Sequence, residues 1–137
     1  MRYVLDTSVI EHLANRANGW ERIEASIGRV GIGLCAISAV TAYELRRHIE
    51  RGPGRVRKEN IARLEAMFGT IECIGMDLEI ADLAGRLAAY LEDTGKSIGG
   101  HDPMIAATAL VHGLACITDN TKHFIRVPGL ALANWRL

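Results

Sequence analysis

Apolar positions in this chain alternate between short uninterrupted runs and longer stretches with a helical repeat. Arg2-Tyr3-Val4-Leu5 is a short apolar run that stops at Asp6-Thr7-Ser8, residues of the type that start helices, so it predicts a strand and then a helix. Gly31 to Ile37 reads as a second buried strand, and Ser38 is placed to cap a helix carrying Val40, Glu44, Leu45 and Ile49 until Gly52-Pro53-Gly54 breaks it. Val56, Ile61, Leu64, Met67 and Phe68 recur at helical spacing, Gly69 closes that helix, and Thr70 to Ile74 reads as a strand. Asp77 opens a further helix with Ile80, Ala84, Leu87, Ala88 and Leu91 on one face, ending at Gly95. The loop Ser97-Ile98-Gly99-Gly100-His101 delivers Asp102 to a helix start, where Pro103 sits well because its missing N–H has no partner there anyway. An Ala-rich helix, a buried strand from Leu114 to Thr118, a polar turn and a short element near Ala131 to Trp135 complete the chain.

Strands alternating with helices, without a repeat or low-complexity tract, predict an α/β domain: a doubly wound, mostly parallel sheet of four to five strands flanked by helices around one apolar core. The 137 residues fit one domain spanning 1–137. Lys plus Arg and Asp plus Glu number 16 each, which argues against indiscriminate nucleic-acid binding but leaves room for a local patch. Such a patch lies at Arg46, Arg47, Arg51, Arg55, Arg57, Lys58 and Arg63, against only Glu50 and Glu59. Its alternatives are a solvated pair of helix faces and a surface for a polyanion. Cys35, Cys73 and Cys116 each sit in an apolar run without metal-ligand spacing and read as buried free thiols in a reducing compartment. With no leader pattern and no membrane-length apolar stretch, a soluble cytoplasmic protein without membrane contact is expected.

Four sites carry candidate chemistry. In a parallel sheet, Asp6, Glu44, Asp102 and Asn120 can converge at the carboxyl edge, where ligands of such folds bind. Each also has a purely structural reading: Asp6 and Asp102 as helix caps, Glu44 as a solvent-facing residue, Asn120 as a turn residue. Three carboxylates in one cleft would repel one another, raise at least one pKa and call for a hard divalent cation. Thr7 and Thr118 are placed to orient a neighbouring acid. The five histidines show no metal-ligand spacing and read mostly as surface or turn residues.

Taken together, Val4-Leu5-Asp6-Thr7-Ser8, Ile37-Ser38-Ala39-Val40-Thr41-Ala42-Tyr43-Glu44-Leu45, Asp102-Pro103-Met104-Ile105-Ala106-Ala107-Thr108-Ala109 and Ile117-Thr118-Asp119-Asn120-Thr121-Lys122-His123-Phe124, followed by Pro128-Gly129-Leu130, resemble the PIN-domain toxins of VapBC toxin/antitoxin pairs in order, spacing and total length. The resemblance implies a PIN fold and a Mg²⁺- or Mn²⁺-dependent endoribonuclease. It also implies a homodimer that cuts RNA and is silenced by a cognate antitoxin. It makes Asp6, Glu44 and Asp102 the metal-binding acids and Asn120 the fourth catalytic position. The chain departs from the family's pattern at His123, where an acid often stands, which puts the strength of a second metal site in question. Asp119 could compensate, but neighbours along an extended segment point to opposite faces, so it ranks below Asn120. Two other readings are a PIN-like structure-specific DNA nuclease and a module that binds RNA or a partner without cutting. A phosphate-handling domain with Asp6 as nucleophile is weaker, because the haloacid-dehalogenase pattern wants a second Asp where Ser8 stands.

Overall fold

A strand buried on both faces must be apolar at every position, and its neighbours must be reached by helices that cross over the sheet. The computed structural model, which describes residues 2–137, follows that plan. The elements run β1 (Tyr3–Leu5), α1 (Thr7–Asn15), α2 (Trp20–Val30), a 3₁₀ turn (Ile32–Leu34), β2 (Cys35–Ser38), α3 (Ala39–Glu50), α4 (Gly54–Phe68), β3 (Glu72–Ile74), α5 (Leu78–Asp93), α6 (Asp102–His112), β4 (Ala115–Ile117), α7 (Thr121–Phe124) and β5 (Leu132–Ala133). The five strands form one sheet in the order β3-β2-β1-β4-β5, and every pairing is parallel.

Strand alternation sorts side chains into two core layers, where the sequence pattern had predicted a single one. Val4, Ala36 and Cys116 face the layer built with Ile80, Leu91, Ile105 and Phe124. Leu5, Ile37 and Ile117 face the opposite layer, with Val9, Ile23, Leu45 and Leu64. The small residues Ala106, Ala107 and Ala109 are fully buried and let α6 lie close to the sheet.

Three local expectations need correction. Gly31 to Leu34 is not strand: Gly31 has φ +94°, Ile32–Leu34 form a 3₁₀ turn, and pairing starts at Cys35. Glycine's freedom at positive φ lets α2 turn sharply into the sheet there. The strand expected from Thr70 begins at Glu72. Cys35 and Cys116 are buried, but Cys73, on the edge strand β3, is exposed. No helix among the described residues is long and apolar enough to cross a membrane.

Candidate active site

The chain leaves β1 toward β2 and β3 on one side, and later returns to place β4 on β1's other flank, so the carboxyl ends of β1 and β4 flank the switch point of the sheet. Asp6 follows β1, and its N–H donates to the Ile117 carbonyl at 2.9 Å, which holds it beside the end of β4. Ser38 caps α3, its Oγ accepting from the Thr41 N–H at 3.1 Å, and α3 carries Glu44. The Asp102 N–H donates to the Gly99 carbonyl at 3.0 Å, so the glycine loop folds back on the acid at the start of α6.

Asp6 is 4% exposed and does two jobs that the sequence reading had treated as alternatives. Its Oδ1 accepts from the Thr7 N–H at 2.8 Å as the cap of α1, while Oδ2 accepts from the hydroxyls of Ser8 at 2.9 Å and Thr118 at 2.8 Å. Burial raises its pKa, the Thr118, Ser8 and Thr7 donors pull it back, and the Glu44 charge raises it again. Glu44 is half-buried rather than free in solvent: Thr7 Oγ1 donates to its Oε1 at 2.7 Å, and His101 Nδ1 lies 3.2 Å from its Oε2. The two threonines thus hold two different acids.

Asp102 does not cap α6. It is the first helical residue, the capping position falls to His101, and its carboxylate is left to face the other acids. Its pKa is pushed up to about 6, first by burial and then by the charges of Asp6 and Glu44, with His123 opposing. In the unfolded chain this group titrates near 4. The contribution from its raised pKa is therefore fully present below about pH 4 and is lost as pH rises through about 6. Asp102→Asn is expected to stabilise the protein in the absence of added metal at pH 7 by on the order of 1–2 kcal/mol after solvent screening, and so to raise its melting point, and to change little at pH 4. Calorimetric melts at both pH values check this; equal effects would remove the charge-repulsion account.

Asn120 precedes α7 without capping it, and its Nδ2 lies 2.8 Å from His123 Nδ1. His123 Nδ1 is in turn 3.7 Å from Asp102 Oδ2. Asp119 is committed elsewhere, to His12 Nδ1 at 2.6 Å and Arg136 Nη1 at 3.1 Å. Most of the histidines are surface residues as expected, with His48, His101 and His112 exposed and His101 in a turn; what that expectation omits is that His12, His101 and His123 each lie beside an acid. The available signals were His101 standing beside Asp102 in the chain and His123 standing three residues after Asn120, one helical turn on.

Asp6, Glu44 and Asp102 feel one another's charges, and among the described residues no Lys or Arg pairs with them. All three offer hard oxygen donors, which suits a divalent cation that keeps part of its water shell. As the side chains stand, no three donors among the described residues close on a single point.

A fully parallel, doubly wound sheet with acids gathered at its switch point defines a class of α/β domain with an acidic site. The chain belongs to the PIN-domain family, whose model matches residues 3–130. It is 32% identical over 98% of its length to a "tRNA(fMet)-specific endonuclease VapC" from Shigella flexneri, of which it covers 98%. The structure resembles a DNA-bound VapBC from Salmonella typhimurium, with TM-score 0.87, 28% identity and 98% of both chains covered. It also resembles VapBC-1 of nontypeable Haemophilus influenzae, with TM-score 0.85, 26% identity and full coverage of both chains.

If Thr118 orients Asp6, Thr118→Val keeps the shape and removes one of the donors to Oδ2. RNA cleavage is expected to fall about 10–100-fold, the usual cost of losing a group that orients a ligand, with stability lowered by roughly 1–2 kcal/mol. Cleavage rates and denaturant midpoints measured together check it; a fall in stability without a fall in rate would make Thr118 structural only.

Proposed function

We propose that this protein is the toxin of a toxin/antitoxin pair, a divalent-metal-dependent endoribonuclease whose Asp6, Glu44 and Asp102 hold Mg²⁺ or Mn²⁺, with Asn120 completing the site. The observation that carries the metal part is a set of three mutually repelling carboxylates at the sheet's switch point with no Lys or Arg partner among the described residues. Ribonuclease activity, like the antitoxin partner, is inferred from the VapC relatives and the VapBC complexes that share this fold. Bound there, the cation would acidify a water and draw off charge from a phosphodiester. The chain's own residues do the positioning: Thr7 holds Glu44, Thr118 and Ser8 hold Asp6, and the loop at Gly99 holds Asp102.

The basic patch supports a polyanionic substrate in reduced form. Arg46 is taken up by Glu50 and Glu65, Arg63 by Glu59, and Arg57 donates to the Gly52 carbonyl. Arg55 and Lys58 stay exposed on α4, and Arg47 of α3 and Arg51, its C-cap, stay exposed three and seven residues after Glu44 on the side of α3 that carries it. Arg47 and Arg51 extend that side from the acids toward solvent as a place for RNA phosphates. A homodimer acting in the cytoplasm completes the reading.

Purified protein freed of antitoxin is expected to cut RNA with Mn²⁺ or Mg²⁺ and to stop in EDTA, and its melting point should rise with metal. Cleavage undiminished in chelator would end the metal mechanism. Metal binding without cleavage of any RNA would leave a binding module instead.

A further inference from the structure

We infer that Thr41 and Ser38 are positioning residues for Glu44, acting on it through the Thr7 hydroxyl along a file of hydroxyls that runs from Ser38 to Thr41 to Thr7. This deepens the reading of the acidic site proposed above and rests on it for the role of Glu44. The four side chains come from three elements: Thr7 opens α1, Ser38 ends β2, and Thr41 and Glu44 lie about one turn apart on α3. Thr7 Oγ1 is 2.7 Å from Glu44 Oε1 and 3.0 Å from Thr41 Oγ1, and Thr41 Oγ1 is 3.2 Å from Ser38 Oγ. The Thr41 N–H closes the far end by donating to Ser38 Oγ at 3.1 Å.

Each hydroxyl carries a single hydrogen, and a carboxylate only accepts. With its hydrogen on Glu44, Thr7 meets Thr41 as an acceptor, and Thr41 in turn accepts from Ser38. Every hydroxyl in the file is then donor and acceptor at once, the arrangement in which successive bonds polarise one another, and the last is aimed at the acid. Thr41 is fully buried and Ser38 nearly so, which keeps water from competing for either group. A helical threonine commonly turns its hydroxyl back to the carbonyl four residues earlier, as Thr108 does to Met104 at 2.8 Å. Thr41 makes no such bond among the described residues, and its hydroxyl meets α1 instead. Without it, the Thr7 hydroxyl can turn about its own bond, and Glu44 loses a donor of fixed direction.

The test pairs RNA cleavage by antitoxin-free full-length protein with a measurement that needs no RNA. Thr41→Val keeps the shape and removes the hydroxyl; Thr41→Ser keeps the hydroxyl. In Thr41→Val, kcat should fall about 10–100-fold with KM little changed, and Thr41→Ser should recover most of it. In a Thr7→Val background, Thr41→Val should cost no further rate, because its effect passes through a hydroxyl already gone. Without RNA, the ¹³C resonance of the Glu44 carboxyl should shift or broaden in Thr41→Val and return in Thr41→Ser. Should Thr41→Val fail to fold, Ser38→Gly, a mild change at a helix cap, takes its place in both measurements. Losses that multiply in the double variant would make Thr41 structural only and overturn the proposal. An unmoved Glu44 resonance in a folded variant would overturn it too. Wild-type protein that cuts no RNA, with a Glu44 resonance that follows Thr41, would overturn the ribonuclease reading and bear out the positioning of Glu44.

Discussion

Asp6→Asn is expected to lower RNA cleavage by on the order of 10²–10³-fold or more, the scale seen when one preorganised charge-stabilising group is lost. The side chain keeps its shape, so the effect is one of charge and hydrogen bonding rather than of lost volume. In place of an ion that accepts from three donors, Asn offers one oxygen and an NH₂ that faces donors on its own side. Asp6→Ala removes the same charge but also strands the Thr7 N–H, the Ser8 hydroxyl and the Thr118 hydroxyl, two of which belong to buried residues, and should destabilise the fold as well. Glu44→Gln and Asp102→Asn should approach the same loss of rate, while Asn120→Ala, which deletes no charge, should cost less. Single-turnover cleavage of one RNA at saturating Mn²⁺ provides the comparison. An Asp6→Asn protein that folds, binds metal and cuts at the wild-type rate would show that the wrong acid has been placed at the centre.

Phe124→Ala is expected to cost about 3–5 kcal/mol, a large share of the roughly 5–15 kcal/mol that holds a domain folded. Phe124 is fully buried in the layer with Ile105, Leu114 and Cys116. It is the last residue of α7, a single turn with little stability of its own. That ring is what ties down the turn carrying His123, with Asn120 at its start, so the substitution should loosen the site besides lowering the melting point. Phe124→Leu, which refills most of the space, should recover much of both. Denaturant midpoints measured beside Mn²⁺ affinity check the coupling. A Phe124→Ala protein with unchanged metal affinity would mean that α7 stays in place without its anchor.

Most of the architecture could be read from local chemistry. Ser38 and Asp77 cap the helices that follow them, as their side chains are suited to do, and Gly52-Pro53 separates α3 from α4, which starts at Gly54, because neither residue type sustains a helix interior. The break between α1 and α2 was not legible. It depends on Arg16 at φ +47° and on Gly19, where any Cβ would meet the Arg136 side chain at 2.5 Å, a contact with the far end of the chain. The exposure of Cys73 was likewise hidden, since an apolar run does not say whether its strand lies at the centre of a sheet or at its edge.

By itself the sequence determined the alternation of strands and helices, because hydrophobic period, caps and breakers act over a few residues, and it determined which acids were available at strand ends and helix starts. Only the tertiary structure decided how those acids are used. The roles of Asp6 as cap and cluster member, of His101 on Glu44, of His123 between Asn120 and Asp102, and of Asp119 turned to His12 and Arg136 are set by pairs brought together across the sheet. Hydrogen bonds and charge repulsion act over a few ångströms in space, and distance along the chain carries no record of them.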